Sequence, residues 1–162
     1  IMLSPIITFT CEEAYSHLCS EDRRFETIHA ESWPEYRKDW IDERLMQDFE
    51  KLFEVRDIAL KSLEDARQAD LIGHSLDAKL TLKIGDEKLF SLLQKYRDVL
   101  EEIFIVSQVE LEKGEERIQV LVSKAEGQKC ERCWKYHPLT NSDGRFPGIC
   151  PRCVSVLEGE RK

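Results

Sequence analysis

No apolar run in this chain of 162 residues reaches the ~20 residues a bilayer-spanning helix needs, so no membrane partner is expected. The front carries no basic, apolar and small-residue signal of the kind that directs secretion. There are no internal repeats and no low-complexity segment. Position 1 is not an initiator Met, and the opening "IMLSPIITFT" is already apolar, as expected for a piece of a longer polypeptide. An excess of positive charge is also missing. Lys and Arg number 24 against 32 Asp and Glu, giving a net charge of -8. That balance excludes nonspecific coating of DNA by the chain as a whole.

What is present is enough for one ordinary domain or two small ones. Forty-one per cent of residues are hydrophobic, enough for a core, and 35% are charged. The acidity is uneven. Residues 124–162 carry eight Lys/Arg and five Asp/Glu, a net of +3, which leaves -11 on the rest. A basic tail on an acidic body is able to face a phosphate backbone. Six cysteines in a chain without a secretion signal point to a reducing compartment, the cytoplasm. Cys11 and Cys19 stand apart from the others and read as small, half-buried thiols.

The fold class reads as mainly α with a small α+β part. Thr10-Cys11-Glu12-Glu13 has the form of a capping box opening a short helix that runs to about Leu18. Residues 19–38 hold no helical period, and "ETIHAESWPEY" reads as an extended crossing with a turn at Pro34. From about Asp39 to Ala69, Ile41, Leu45, Phe49, Leu52, Val55, Ala59, Leu63 and Ala66 recur at three and four residues. This predicts a helix roughly 45 Å long, with Gly73 suited to stop it. So long an apolar stripe needs partner helices, which upstream domains of the same polypeptide are expected to supply. The period then changes to two: Ala78, Leu80, Leu82 and Ile84 alternate with Lys79, Thr81 and Lys83, a half-buried strand. Asp86 caps a short helix over "GDEKLFSLLQKY". "EEIFIVSQVEL" and "ERIQVLVSK" read as two strands joined as a hairpin across Gly114. The chain thus divides into a helical part (1–75), a β-α-β-β junction (76–123) and a tail (124–162).

The tail contains C-x2-C-x16-C-x2-C, formed by Cys130, Cys133, Cys150 and Cys153. This spacing suits one structural zinc ion, because each C-x-x-C turn brings two thiolates to one metal and two turns complete a tetrahedron. Redox C-x-x-C motifs belong at a strand-to-helix junction, whereas these pairs lie among "SDG", "FPG" and "CPRC", which is turn chemistry. Four ligands leave no position open for catalysis, so His137 is read as a spectator. Four thiolates and Zn²⁺ sum to -2, which by itself favours neighbouring cations at Lys129, Arg132, Lys135 and Arg152. The same cations, with Trp134 or Tyr136 as a stacking face, also suit an RNA contact. Trp134 packing under the ribbon as a small core is the competing reading. On residues alone both stand.

Several stretches resemble one family. "SPIITFTCEEAY" is similar to the "PI…FTAEEIW" segment in the anticodon-binding helical domain of class I aminoacyl-tRNA synthetases. "VRDIALKSLEDARQADLIGHSLDAKLTL" resembles the bacterial-type isoleucyl-tRNA synthetases, where "VR…KALE.AR….IG.SLEA.V.L" joins that domain to the C-terminal part. "C-x-R-C-W…CPRC" looks like the C-terminal zinc finger of that family. Tyr15, His74 and Asp77 depart from the family's Trp, Lys and Glu, and none touches a zinc ligand. The resemblance implies a monomeric ligase that uses ATP to join isoleucine to tRNA(Ile). The ATP chemistry would lie elsewhere, since the chain has no HIGH-type or KMSKS-type segment and no editing domain. What it would hold is the surface for the anticodon arm, with Lys129, Arg132, Trp134, Lys135 and Arg152 as tRNA-binding residues and no catalytic residue. Alternatives are a valyl or leucyl synthetase, a zinc-ribbon adaptor, and a formamidopyrimidine-DNA glycosylase. The last shares the finger pattern but needs an N-terminal Pro-Glu that is absent here.

Overall fold

The computed structural model describes residues 1–159. The chain forms two compact units, Ile1–Glu43 and Arg44–Lys162. In the first, helix α1 (Thr8–Ser16) buries Tyr15. Its Glu12 carboxylate accepts hydrogen bonds from Thr27 Oγ1 (2.7 Å) and the Ile28 amide (3.1 Å). The Tyr15 hydroxyl lies 2.9 Å from Glu31 Oε1 and accepts the Phe25 amide. Residues 25–31 are thereby tied to the helix. The capping box expected at Thr10 is not formed. Ile7 is the N-cap and makes no side-chain cap bond. The reason lies upstream: the Ile6 and Ile7 amides already donate to Leu3 O, so the chain is coiling before Thr10 is reached. The helix also ends at Ser16 rather than near Leu18. Beyond it come short 3-10 turns at Ser20–Asp22, Ile28–Ala30 and Lys38–Trp40. Asp39, read as a helix start, sits in the last of these with Arg37 bound to its carboxylate at 2.7 Å.

Helix α2 (Glu43–Gln68) has 26 residues and is therefore about 39 Å long. Its stripe is buried at Leu52, Val55, Ala59, Leu63 and Ala66, while Leu45 and Met46 are exposed. The cover was expected from further helices. For the C-terminal half it comes instead from the α/β part, through Ala78, Leu80, Leu82, Ile84, Leu93, Leu100, Phe104, Val106 and Val109, all in one apolar core. Asp70, not Gly73, takes the left-handed conformation that ends the helix (φ 55°). The Leu71 amide then returns to Ala66 O at 3.0 Å.

Strand β1 (Ala78–Ile84) buries alternate residues as its period predicts. It is followed by α3 (Glu87–Lys95), α4 (Leu100–Phe104), β2 (Gln108–Lys113) and β3 (Gln119–Lys124). Two expectations fail here. "EEIF" is helical, because Leu100 and Phe104, four residues apart, both enter the core. Strands β2 and β3 do not form a hairpin; they flank β1 in the order β2-β1-β3, parallel and antiparallel respectively. A parallel pair needs a crossover connection, and α3 with α4 supplies it. The link from β2 to β3 passes across the end of β1, with Gly114 N donating to Ile84 O (3.0 Å) and Gly85 N to Glu116 O (2.7 Å). A side chain at Gly114 would sit 3.0 Å from Lys83 Cβ, so glycine suits the crossing. Among the described residues no helix is long and apolar enough to cross a membrane.

The Asp86 cap forms as expected, accepting the Lys88 and Leu89 amides at 2.8 and 3.1 Å. These amides, Leu89's first, hold its carboxyl below the usual aspartate range. A depressed carboxyl stabilises the fold above the unfolded pKa, and that contribution is lost as pH falls through the folded value. Asp86→Ala is therefore expected to lower the urea midpoint at neutral pH. The gap to the parent chain should close once pH is well below about 4. A gap independent of pH would show that the carboxylate is not the cap.

Candidate metal centre and nucleic-acid interface

Two short strands, β4 (Gln128–Lys129) and β5 (Tyr136–His137), pair antiparallel around the first knuckle. Within it the Cys130 amide donates to Lys135 O and the Trp134 amide to Cys130 O, both at 2.9 Å. The second knuckle begins at Cys150. Pro151, at the first position of helix α5 (Pro151–Leu157), sets its direction, and Cys153 lies in the first turn. The four Sγ atoms all fall within 4.8 Å of one another. Cys133 Sγ and Cys150 Sγ are 3.7 Å apart. A Zn–S bond of about 2.3 Å makes a tetrahedron with edges near ~3.8 Å, so the donors fit one zinc ion. His137 is outside the group and accepts the Leu139 amide on Nδ1.

The thiols are unequal. Burial opposes ionisation of Cys130, yet the amides of Cys133, Cys150 and Arg132 bring it down to about 6. Burial pushes Cys150 up to about 12 and raises Cys133 as well. Four neighbouring thiolates repel one another, and a divalent cation removes that repulsion.

The cations around the site separate into two groups. Arg132 is exposed and its guanidinium reaches Cys153 Sγ at 3.6 Å. Lys129 is exposed, with Nζ 5.8 Å from the centre of the Trp134 ring. Trp134 is 60% exposed, so it is not the ribbon's core; that core is the cysteines with Ile149. Lys135, by contrast, is only 16% exposed and is held by Glu101 (3.1 Å) and Glu102 (3.0 Å) of α4. Arg152 is exposed but lines a shallow pocket with the same two glutamates. Burial works against the Glu102 carboxylate, yet Lys135, and at longer range Arg152, holds its pKa below the usual range. Tyr136 is half-buried and donates its amide to Ser107 Oγ at 2.7 Å. Arg145, part of the basic tail, is occupied by Asp143 and Glu158. Arg161 and Lys162 lie outside the described residues.

Residues 1–82 match the anticodon-binding domain of tRNA ligases. The chain belongs to this family. Residues 127–156 match a second family, the zinc finger found in FPG and IleRS. The chain is also similar to proteins named isoleucine–tRNA ligase. It is 54% identical to one from Thermotoga maritima over 99% of its own length and 18% of the relative. Identity is 50% for Fervidobacterium nodosum, over 99% and 18%, and 44% for Carboxydothermus hydrogenoformans, over 96% and 17%. The chain thus spans about 18% of the length of the first curated relatives it matches. Membership in the anticodon-binding family accounts for the part that a zinc-ribbon adaptor or a DNA glycosylase leaves unexplained, the long helix and the segments before it.

Glu101, Glu102 and Ser107, which hold the finger, were not visible as functional residues in the sequence. Their partners lie about thirty residues away, and no local pattern marks them.

Proposed function

We propose that the chain is the tRNA-facing part of a cytoplasmic isoleucine–tRNA ligase, a class I aminoacyl-tRNA synthetase, and that it grips the anticodon arm of tRNA(Ile). In this reading ATP and isoleucine are handled by other parts of a longer polypeptide acting as a monomer. The helical part (1–75), the junction (76–123) and the finger (124–162) form its anticodon end. Two family matches in the same order, and similarity to proteins named isoleucine–tRNA ligase over nearly the whole of this chain, support it.

The observation that carries the RNA contact is Trp134. It holds a left-handed backbone (φ 64°), a conformation that costs a non-glycine residue on the order of 1–3 kcal/mol. It is also largely exposed, so burial does not offset that cost. A tryptophan kept at such a position, with Lys129 beside its ring, suits a base-stacking platform on a backbone fixed by metal. Arg132 lies two residues away and is suited to a phosphate.

Two assays test this. The chain alone is expected to give no isoleucine-dependent pyrophosphate exchange. It is expected to bind an isoleucine tRNA transcript, with affinity falling by roughly 0.7–0.9 log units per tenfold salt for each phosphate contact. Exchange above background, or binding that ignores salt, contradicts the proposal.

A further inference from the structure

We infer that Lys135, with Glu101, Glu102 and Ser107, is a latch that aims the first zinc knuckle at RNA, and is not itself an RNA contact. This inference rests on the RNA-binding reading above and corrects one residue of it. Lys135 follows Trp134 directly. Its ammonium is 16% exposed and bonded to two carboxylates of α4, so a phosphate would have to displace both. A second tie lies on the next residue. Ser107 is 3% exposed; its hydroxyl donates to Leu76 O and accepts the Tyr136 amide at 2.7 Å. The Ser107 amide donates to Ala78 O, the first residue of β1. One buried hydroxyl therefore joins the loop before β1, the loop before β2 and strand β5 of the finger. With Lys135 on α4 and Tyr136 on Ser107, consecutive residues fix the finger to the α/β core at two points. The Trp134 ring, one residue earlier, inherits that orientation.

The two roles for Lys135 predict opposite signs. If it bound phosphate and the glutamates only masked it, Glu101→Gln/Glu102→Gln would free it and tighten RNA binding. For a latch the same double variant weakens binding, as Lys135→Met does. Ser107→Ala is the decisive partner, because it changes no charge and its buried hydroxyl does not face solvent.

The test measures affinity of the full chain for an isoleucine tRNA transcript, zinc content, and hydrogen exchange at the Tyr136 amide. The expected result is that all three variants keep one zinc, speed Tyr136 exchange, and weaken tRNA binding, roughly tenfold for Lys135→Met and Glu101→Gln/Glu102→Gln, which remove charge-assisted hydrogen bonds, and roughly fivefold for Ser107→Ala, which removes neutral ones. Glu87→Gln/Glu112→Gln, at the opposite end of β1 and β2 from Ser107, controls for the loss of two negative charges. Tighter binding by Glu101→Gln/Glu102→Gln, beyond that control, overturns the latch, as does faster Tyr136 exchange with unchanged affinity. Failure of the RNA reading looks different: Trp134→Ala and Lys129→Ala then leave tRNA affinity unchanged.

Discussion

Stripping zinc from this chain is expected to unfold residues from about 127 onward and leave the rest intact. The finger's core is four cysteines and Ile149, too little apolar surface to hold about thirty residues in place. Structural zinc supplies an apparent ~10–16 kcal/mol in small fingers, so its loss removes most of what orders the segment. The other core does not depend on the metal, since Leu52, Leu80, Leu82, Phe104 and their neighbours are sealed within α2, the sheet, α3 and α4. A chelator should raise the number of reactive thiols by four and abolish amide protection in 127–159. The long helix should keep its signal. Zinc should also be lost as pH falls, because the metal displaces protons from thiols that burial pushes upward at Cys133 and Cys150. Chelation that leaves finger amides protected would show that the ribbon stands without metal.

The second large effect concerns Trp134→Gly. Glycine adopts a φ of 64° without strain, so this variant should hold zinc at least as tightly as the parent chain. The same change removes the ring, and a stacked base contributes about 1–3 kcal/mol, so tRNA affinity should fall by roughly 5- to 150-fold. A finger that becomes no less stable while losing its ligand is the signature of a residue kept for contact. If instead zinc affinity drops and tRNA affinity holds, Trp134 is a structural residue and the platform reading fails.

The parts of the fold that were legible in the sequence are those written in local patterns. The stripe from Leu52 to Ala66, the alternation of β1, the Asp86 cap and the cysteine spacing each need only a few neighbouring residues, and each appears as read. What was not legible depended on distant partners. Glu101 to Phe104 read as the front of a strand because "EEIFIV" has no helical period of its own. Only burial of Leu100 and Phe104 against the shared core makes it a helix. Gly114 read as a hairpin turn, although its neighbours prove to be Lys83 and Ile84 across the end of β1. In the site, the clustering of the four cysteines was evident from spacing alone. The cations around them were not sortable, because whether a lysine faces solvent or a glutamate some thirty residues away is decided by docking. Lys135 and Lys129 look alike in sequence, yet one is clamped and the other is exposed beside a tryptophan.

A footprint of the zinc-loaded chain on an isoleucine tRNA transcript tests the RNA-binding role most directly. Backbone cleavage by hydroxyl radicals, with and without the chain, reports which riboses it covers. Protection of the anticodon arm, reduced by Trp134→Gly and lost on chelation, is the expected result. Protection confined to the acceptor end, or none at concentrations where zinc is fully bound, contradicts the assignment of this chain as an anticodon grip.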